Sequence, residues 1–470
     1  MARIFLATPP HPAKERYGPL AAAGANLPSL GILSLAAVCE AAGHRVSLAD
    51  AVAEGLSEEE VIARVAAFSP DVLGLSATTP VISRAGSLAG AVRKRFPGLF
   101  IVLGGPHATA LPEGTLSAFP AFDAVVIGEG EAAFSELVSA LSAKRPLSGV
   151  SGLALRANGA VTRTACRTMI SDLDSLPFPA WHLLPGFPRA FRPAVFNYRK
   201  SPSAHCVTSR GCAGACTFCD RSVFGRTPRF HSAFYMAELS EMLVRRHGVR
   251  ELVFEDDQFL ADPERIETFC RILLDRRLNL DWSAAARAGS VRDAALLDLM
   301  KKAGCWRLSF GLESADEEVL TRACKGTSPD MMRRAVTLTR RTGMEAKGFF
   351  ILGLPGETEE SMARTISFAK SLPLCDCAVF FATPFPGTAI YDGKCPSPDF
   401  SSMNLLTPHP FSDGPDLEAL VAAQRRFARA FYLRRGSMGR YLGRAIKSPK
   451  SLLRLLKAGA GFFKFTITAR

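Results

Sequence analysis

From Arg425 to the C-terminus the sequence has no aspartate or glutamate, against 13 lysines and arginines. The whole chain holds 57 basic and 44 acidic residues, so the part before Arg425 balances at 44 against 44 and the net charge of +13 comes from this last segment alone. An even charge elsewhere gives no support to a nucleic-acid-binding body. No secretory leader is expected either: in "MARIFLATPP" the apolar run is cut short by Pro9 and Pro10, and it is read as a buried first strand. The uncharged run from Tyr17 to Cys39 is long enough for a membrane span, but Pro19, Asn26, Pro28 and several glycines interrupt it. A loop followed by a buried helix is expected instead, in a soluble, cytoplasmic chain. Without a leader, the 12 cysteines are expected to be reduced rather than a disulfide framework. Cys39, Cys166, Cys270, Cys305 and Cys324 stand singly and are read as small core residues.

In the basic segment Phe427, Phe431, Leu442, Leu452, Leu453, Leu455 and Leu456 interleave with the cations. The pattern suits a helix lying on the anionic inner face of a membrane, which is the expectation, or a basic helix packed on its own protein. Nucleic-acid contact fits least, because no base-reading motif accompanies the charge.

A chain of 470 residues exceeds one hydrophobic core, and its organisation is legible in the alternation of strands and helices. "RIFLATP", "HRVSLADA", "DVLGLSATT", "LFIVLGGPH" and "AVVIGEGE" read as strands separated by helical patterns, one opening with Ser57 and Glu60 at capping-box spacing. That order predicts a doubly wound, flavodoxin-like parallel sheet over residues 1–145. Its strands end in small or hydroxyl residues: Ser76 and Thr78; Gly104, Gly105 and nearby His107; Gly128 and Glu129. A crevice lined this way suits a broad, flat ligand, although turn chemistry alone explains any single loop. A proline-rich stretch at 146–198 reads as linker. Six further strands, from "HCVTSRG" to "CAVFFATPFPGT", predict a (β/α)6 partial barrel over 199–400, followed by a helical basic region at 401–470.

The barrel's first strand runs into "RGCAGACTFC", which carries Cys212, Cys216 and Cys219 but no fourth cysteine. Structural zinc takes four ligands in paired half-sites, and that pairing is absent here. An iron–sulfur cluster with one iron open is the expectation; zinc and fortuitous core cysteines are the alternatives.

The pattern CxxxCxΦC, with Phe218 as the aromatic, resembles the radical S-adenosylmethionine enzymes. "FEDDQF", "SFGLES", "GFFILGLPGET" and "TPFPGTAIYD" are similar to motifs of the subgroup with an N-terminal cobalamin-binding domain, and "LGGPHATALPE" and "VIGEGE" to that domain's own signatures. The resemblance implies that the three cysteines hold a [4Fe–4S] cluster and that S-adenosylmethionine binds its fourth iron. Reduction by a donor such as flavodoxin or ferredoxin then frees a 5′-deoxyadenosyl radical. It further implies S-adenosylmethionine contacts from Phe218, one of the carboxylates of Glu255, Asp256 and Asp257, Glu313, and the turn at Gly353, Gly356 and Glu357. Glu313 could equally pair with Arg287, and two of the three strand-end carboxylates are expected to serve only as caps or surface turns. Ser76, Thr78, Gly104, Gly105, His107, Gly128 and Glu129 would line the cobalamin crevice. Asp-x-His-x-x-Gly, the lower-ligand motif, is absent after the first strand, where "TPPHPAKERYG" stands, so no histidine from it is expected on the cobalt. His107 is either a cofactor contact or a turn-stabilising residue.

Methyl transfer to an unactivated carbon is the leading function. The alternatives are another radical reaction, such as cyclisation, rearrangement or dehydrogenation, and a non-catalytic iron–sulfur sensor. No motif identifies the substrate; the basic tail leans toward a lipid or an anionic small molecule.

Overall fold

The computed structural model describes residues 1–157, 159–195, 197–393 and 400–434. The first sheet comprises β1 (Arg3–Thr8), β2 (Arg45–Asp50), β3 (Val72–Ser76), β4 (Phe100–Gly104), β5 (Ala124–Val126), β6 (Leu153–Ala157) and β7 (Ala160–Arg163). Its order is β2-β1-β3-β4-β5-β6-β7, with β1 to β5 parallel and β6 and β7 antiparallel. Helices cover both faces, and that is why β1, β3 and β4 read as nearly unbroken apolar runs. Ser57 and Glu60 form the expected capping box. The order reverses between β1 and β3, which places a crevice at the carboxyl ends of these strands.

Residues 146–198 are not all linker: β6 and β7 lie within that stretch and cover the free edge of β5. The Asn158-Gly159 dipeptide between apolar runs was the available hairpin signal.

The second parallel sheet holds β8 (Ser203–Cys206), β11 (Glu251–Phe254), β12 (Asp281–Ala286), β13 (Cys305–Glu313), β14 (Glu345–Leu352) and β15 (Asp376–Phe381), in the order β15-β14-β13-β12-β11-β8. This is a six-stranded partial barrel. Between β8 and β11 lie β9 (Ser209–Arg210) and β10 (Arg229–Phe230), an antiparallel ribbon two residues long. Phe254, Phe259, Phe269 and Trp282 pack with ring centroids 5.1–5.8 Å apart and anchor β11 and β12. Each such pair adds about 0.5–1.5 kcal/mol beyond simple burial.

The helix Leu417–Tyr432 corrects the reading of the basic segment. Its Leu420, Phe427 and Phe431 are buried, and Phe427 meets Phe350 of β14 at 5.0 Å between centroids. Tyr432 donates to the Cys377 carbonyl on β15 at 2.5 Å. These aromatics are therefore core, placed on one face by helical spacing, and are not a membrane-facing stripe. The rest of that segment, including Leu442, Leu452, Leu453, Leu455 and Leu456, lies outside the described residues. Among the described residues, no helix is long and apolar enough to cross a membrane.

Candidate active site

The loop 211–228 leaves the barrel rim between β9 and β10. Gly211 has φ +83°, and a Cβ there would approach the Phe224 carbonyl to 2.9 Å, so the loop can enter this turn only through glycine. Cys216 is buried, Cys212 half-buried and Cys219 exposed. Although the residue reaches the surface, desolvation of its sulfur raises the Cys219 thiol to about 11, with the charges of Asp257, Cys216 and Cys212 adding to it. Burial also raises Cys216, while Lys325 and Arg287 pull it down. Cys212 Sγ accepts from Gln258 Nε2 at 3.0 Å and from the Gly214 amide at 3.4 Å. Thiolate sulfur benefits from such donors and from nearby cations, so the donor set fits an anionic cluster held by three cysteines. Among the described residues, no three His, Cys, Asp or Glu side chains converge tightly enough for a single metal ion. A cubane cluster holds its cysteines further apart than one ion does.

Around this loop the other rim residues divide into two groups. Phe218 packs with Val319, Ala323, Leu354 and Ala382, and Lys325 Nζ stands 5.9 Å from its ring. Lys325 also pairs with Glu313 at 2.7 Å, both side chains being buried. Arg287 bonds the Lys325 carbonyl at 2.6 Å and does not pair with Glu313. At the end of β14, Gly353 and Gly356 have φ +77° and +75°. The Glu357 carboxylate accepts from the Gly353 amide at 2.6 Å and the Leu354 amide at 3.3 Å. Its second oxygen is buried without a hydrogen-bond partner among the described residues, and burial raises the acid to about 8. Phe218, Glu313 and the Gly353 turn thus share one part of the rim.

Asp256 points elsewhere. It accepts from the Thr208 amide, the Thr208 hydroxyl at 2.6 Å and the Ser209 amide at 2.7 Å, and is buried beneath the rim. Its oxygens are engaged by the backbone that leads into the cysteine loop, so it holds that backbone and does not face a ligand. Sequence reasoning missed Gln258 and Lys325, which stand in no metal-ligand spacing, and named Arg287 only as a partner for Glu313; Gln258, beside the rim carboxylates, was within reach of it.

On the first sheet, Gly105 has φ +98°, and a Cβ there would approach the Ala77 carbonyl to 2.7 Å and Ser76 Oγ to 3.0 Å. Gly104 is different: a Cβ would meet nothing nearer than Val126 at 3.9 Å. The fold thus excludes a side chain at Gly105 only, while Gly104 presents open backbone. Ser76 is half-buried and Thr78 exposed, whereas His107 is buried. Its Nδ1 lies 3.2 Å from Thr79 Oγ1, its ring meets Phe400 edge-on at 4.8 Å, and burial lowers its pKa to about 4. The neutral imidazole is tied into its own turn. A rim of small groups with one glycine cradle fits a flat macrocycle lying against backbone.

Glu129 is the largest departure from expectation. Its Oε1 accepts from Arg210 Nη1 at 3.0 Å, and its Oε2 from Arg229 Nη1 and the Ile170 amide, both at 2.9 Å. Glu131 accepts from Arg210 Nη2 at 2.5 Å. Burial pushes the Glu129 acid up, but Arg229, the Ile170 amide and Arg210 outweigh it and hold it below the ordinary glutamate range. "VIGEGE" thus ties the first sheet to the neck of the cysteine loop. Gly128 stands beside it, where a Cβ would reach 4.0 Å from the Val223 carbonyl.

Cys39, Cys270 and Cys305 are buried as expected; Cys166 and Cys324 are exposed, so they are not core residues.

Residues 18–138 match the B12 binding domain family and residues 206–369 the Radical SAM superfamily. An uncharacterized methyltransferase from Pyrococcus horikoshii is 35% identical over 372 residues, covering 78% of this chain and 79% of that protein. The anaerobic magnesium-protoporphyrin IX monomethyl ester cyclase of Rubrivivax gelatinosus is 30% identical over 422 residues, covering 86% and 74%. The fold is similar to that of a radical S-adenosylmethionine methyltransferase from Kitasatospora setae, solved with cobalamin and a [4Fe–4S] cluster bound. The TM-score is 0.66 at 17% identity, covering 83% of this chain and 74% of that one. With both family domains in this order and relatives matched over most of their length, the chain belongs to the radical S-adenosylmethionine enzymes that carry an N-terminal B12-binding domain.

Proposed function

We propose that the protein is a cobalamin-dependent radical methyltransferase acting on an unactivated carbon. The observation that carries this reading is the joining of two strand-end rims. The small-residue rim of the first sheet contacts the neck of the thiol-bearing loop through Glu129–Arg210, and Phe400, from the segment after the barrel's last strand, packs on His107. When bound, the cluster with S-adenosylmethionine supplies carbon-radical chemistry and cobalamin supplies a methyl carrier.

The chain's own residues then have separable roles. Cys212, Cys216 and Cys219 hold the cluster, with the Gln258 amide donating to Cys212. Phe218 and the Gly353 turn offer an apolar face and backbone amides for the adenosine, while Glu313, charge-balanced by Lys325, offers a carboxylate. Ser76, Thr78, Gly104, Gly105 and Gly128 line the crevice for cobalamin, with His107 behind them, which places the two cofactor units before and after the β6–β7 hairpin. An external one-electron donor such as flavodoxin or ferredoxin completes the system.

The second reading is radical cyclisation, favoured by the 30% identity to the Rubrivivax cyclase over 74% of its length. Product analysis separates the two. Anaerobically reconstituted protein, incubated with S-adenosylmethionine, a reductant and cell-derived small-molecule and lipid extracts, should form S-adenosylhomocysteine together with 5′-deoxyadenosine. Deoxyadenosine alone would favour cyclisation, and neither product would overturn both readings.

A further inference from the structure

Arg210 and Arg229 stand directly opposite one another in the ribbon of β9 and β10, where the loop 211–228 begins and ends. Like charges facing each other across strands repel, and two residue pairs form too short a ribbon to resist that repulsion. The counter-charge comes from the other sheet. Glu129 spans both guanidiniums, one oxygen to each, while Glu131 takes the second nitrogen of Arg210. All four side chains are no more than 10% exposed, so water offers little screening. Arg229 also donates to the Ile170 carbonyl at 2.6 Å and the Phe224 carbonyl at 3.2 Å, tying the connecting segment and the loop itself to the same knot.

We infer that Glu129 and Glu131 are positioning residues for the cysteine loop: the B12-binding domain supplies the negative charge that closes the loop's neck. With the neck closed, the thiol-bearing loop keeps a fixed place relative to the first sheet's crevice. The two ends of the proposed reaction are then held in register, and any ligand that orders residues 127–131 also orders the loop. The consequence for chemistry rests on the proposed siting of the cluster; the closing of the neck does not.

Hydrogen exchange on the full chain without cofactors tests the neck directly. Glu129→Gln keeps the size of the side chain but removes its charge. Exchange of amides in 211–228 should rise by about tenfold, with the sheet strands unchanged. Arg229→Gln added to it removes the repulsion and should return exchange partway. Unchanged exchange in the single variant, or no recovery in the double, would overturn the inference. If Glu129→Gln does not fold, Glu131→Gln, which breaks only the second Arg210 contact, should raise loop exchange by about threefold, and no rise would count equally against it. In reconstituted enzyme, Glu129→Gln should keep its iron yet release several times more 5′-deoxyadenosine per methylated product. An open neck with an unchanged ratio would overturn the positioning role. Wild-type protein that yields no deoxyadenosine would instead sink the proposed reaction and leave the exchange result standing.

Discussion

The two parallel sheets present different chemistry at the same end of their strands. The first offers glycines, hydroxyls and a neutral, buried histidine, and its carboxylates at 129 and 131 are spent on the neighbouring domain. The second offers three thiols, a buried Lys325–Glu313 pair and a carboxyl group with one oxygen unpartnered among the described residues. A rim that cradles a large planar group needs exposed backbone and little charge. One that holds an anionic cluster and a charged sulfonium cofactor needs sulfur, cations and carboxylates, each already balanced before the ligand arrives.

The division is broken most completely at the thiols. Cys212→Ala, Cys216→Ala or Cys219→Ala should each abolish the iron–sulfur EPR signal of anaerobically purified protein while leaving cobalamin binding intact. Cys39→Ala and Cys270→Ala, both remote core positions, should leave iron content at the wild-type level. Loss of cobalamin along with iron would show that the two rims are not separable.

Phe427→Ala probes whether the basic helix belongs to the barrel. Removing a fully buried phenylalanine costs about 3–5 kcal/mol, and the loss should appear in denaturant unfolding of the second sheet, monitored by exchange in β14 and β15. A surface-bound helix would give almost no change.

The first rim is sharpened by adjacent glycines. Gly105→Ala forces a side chain into a left-handed backbone and against the Ala77 carbonyl, a penalty of at least about 1–2 kcal/mol, and should weaken cobalamin binding. Gly104→Ala fits the fold, so any loss of cobalamin absorbance in that variant reports direct contact with the ligand.

The last comparison concerns pH. Glu357 titrates near 4.5 when unfolded and at about 8 in the fold, so between those values the native state holds a proton that the unfolded state has lost. Its contribution to stability is therefore full below about 4.5 and declines as pH rises toward 8. Glu357→Gln mimics the protonated acid and should remove that decline. Urea titrations of wild type and variant at several pH values should diverge in that direction; parallel curves would contradict it.

Much of the fold was legible because period and punctuation agreed. The five parallel strands of the first sheet and the six of the barrel fall where apolar runs meet small or polar ends, and Ser57 with Glu60 capped the helix they announced. The three cysteines declared themselves through spacing alone. The hairpin of β6 and β7 passed for linker because prolines dominate the residues that follow it. The roles of Glu129 and Asp256 could not be read, since a carboxylate at a strand end looks the same whether it faces a ligand or an arginine 81 positions away.

By itself the sequence determined the order of the two α/β units, the thiol loop on the rim of the second, and the excess positive charge near the C-terminus. These follow from local periodicity, residue spacing and composition. Only the tertiary structure decided which charges are neutralised, and by what. Arg210 meets Glu129, Lys325 meets Glu313, and Phe427 turns inward onto Phe350 because ion pairing and burial depend on distance in space, which strand order sets and chain position does not.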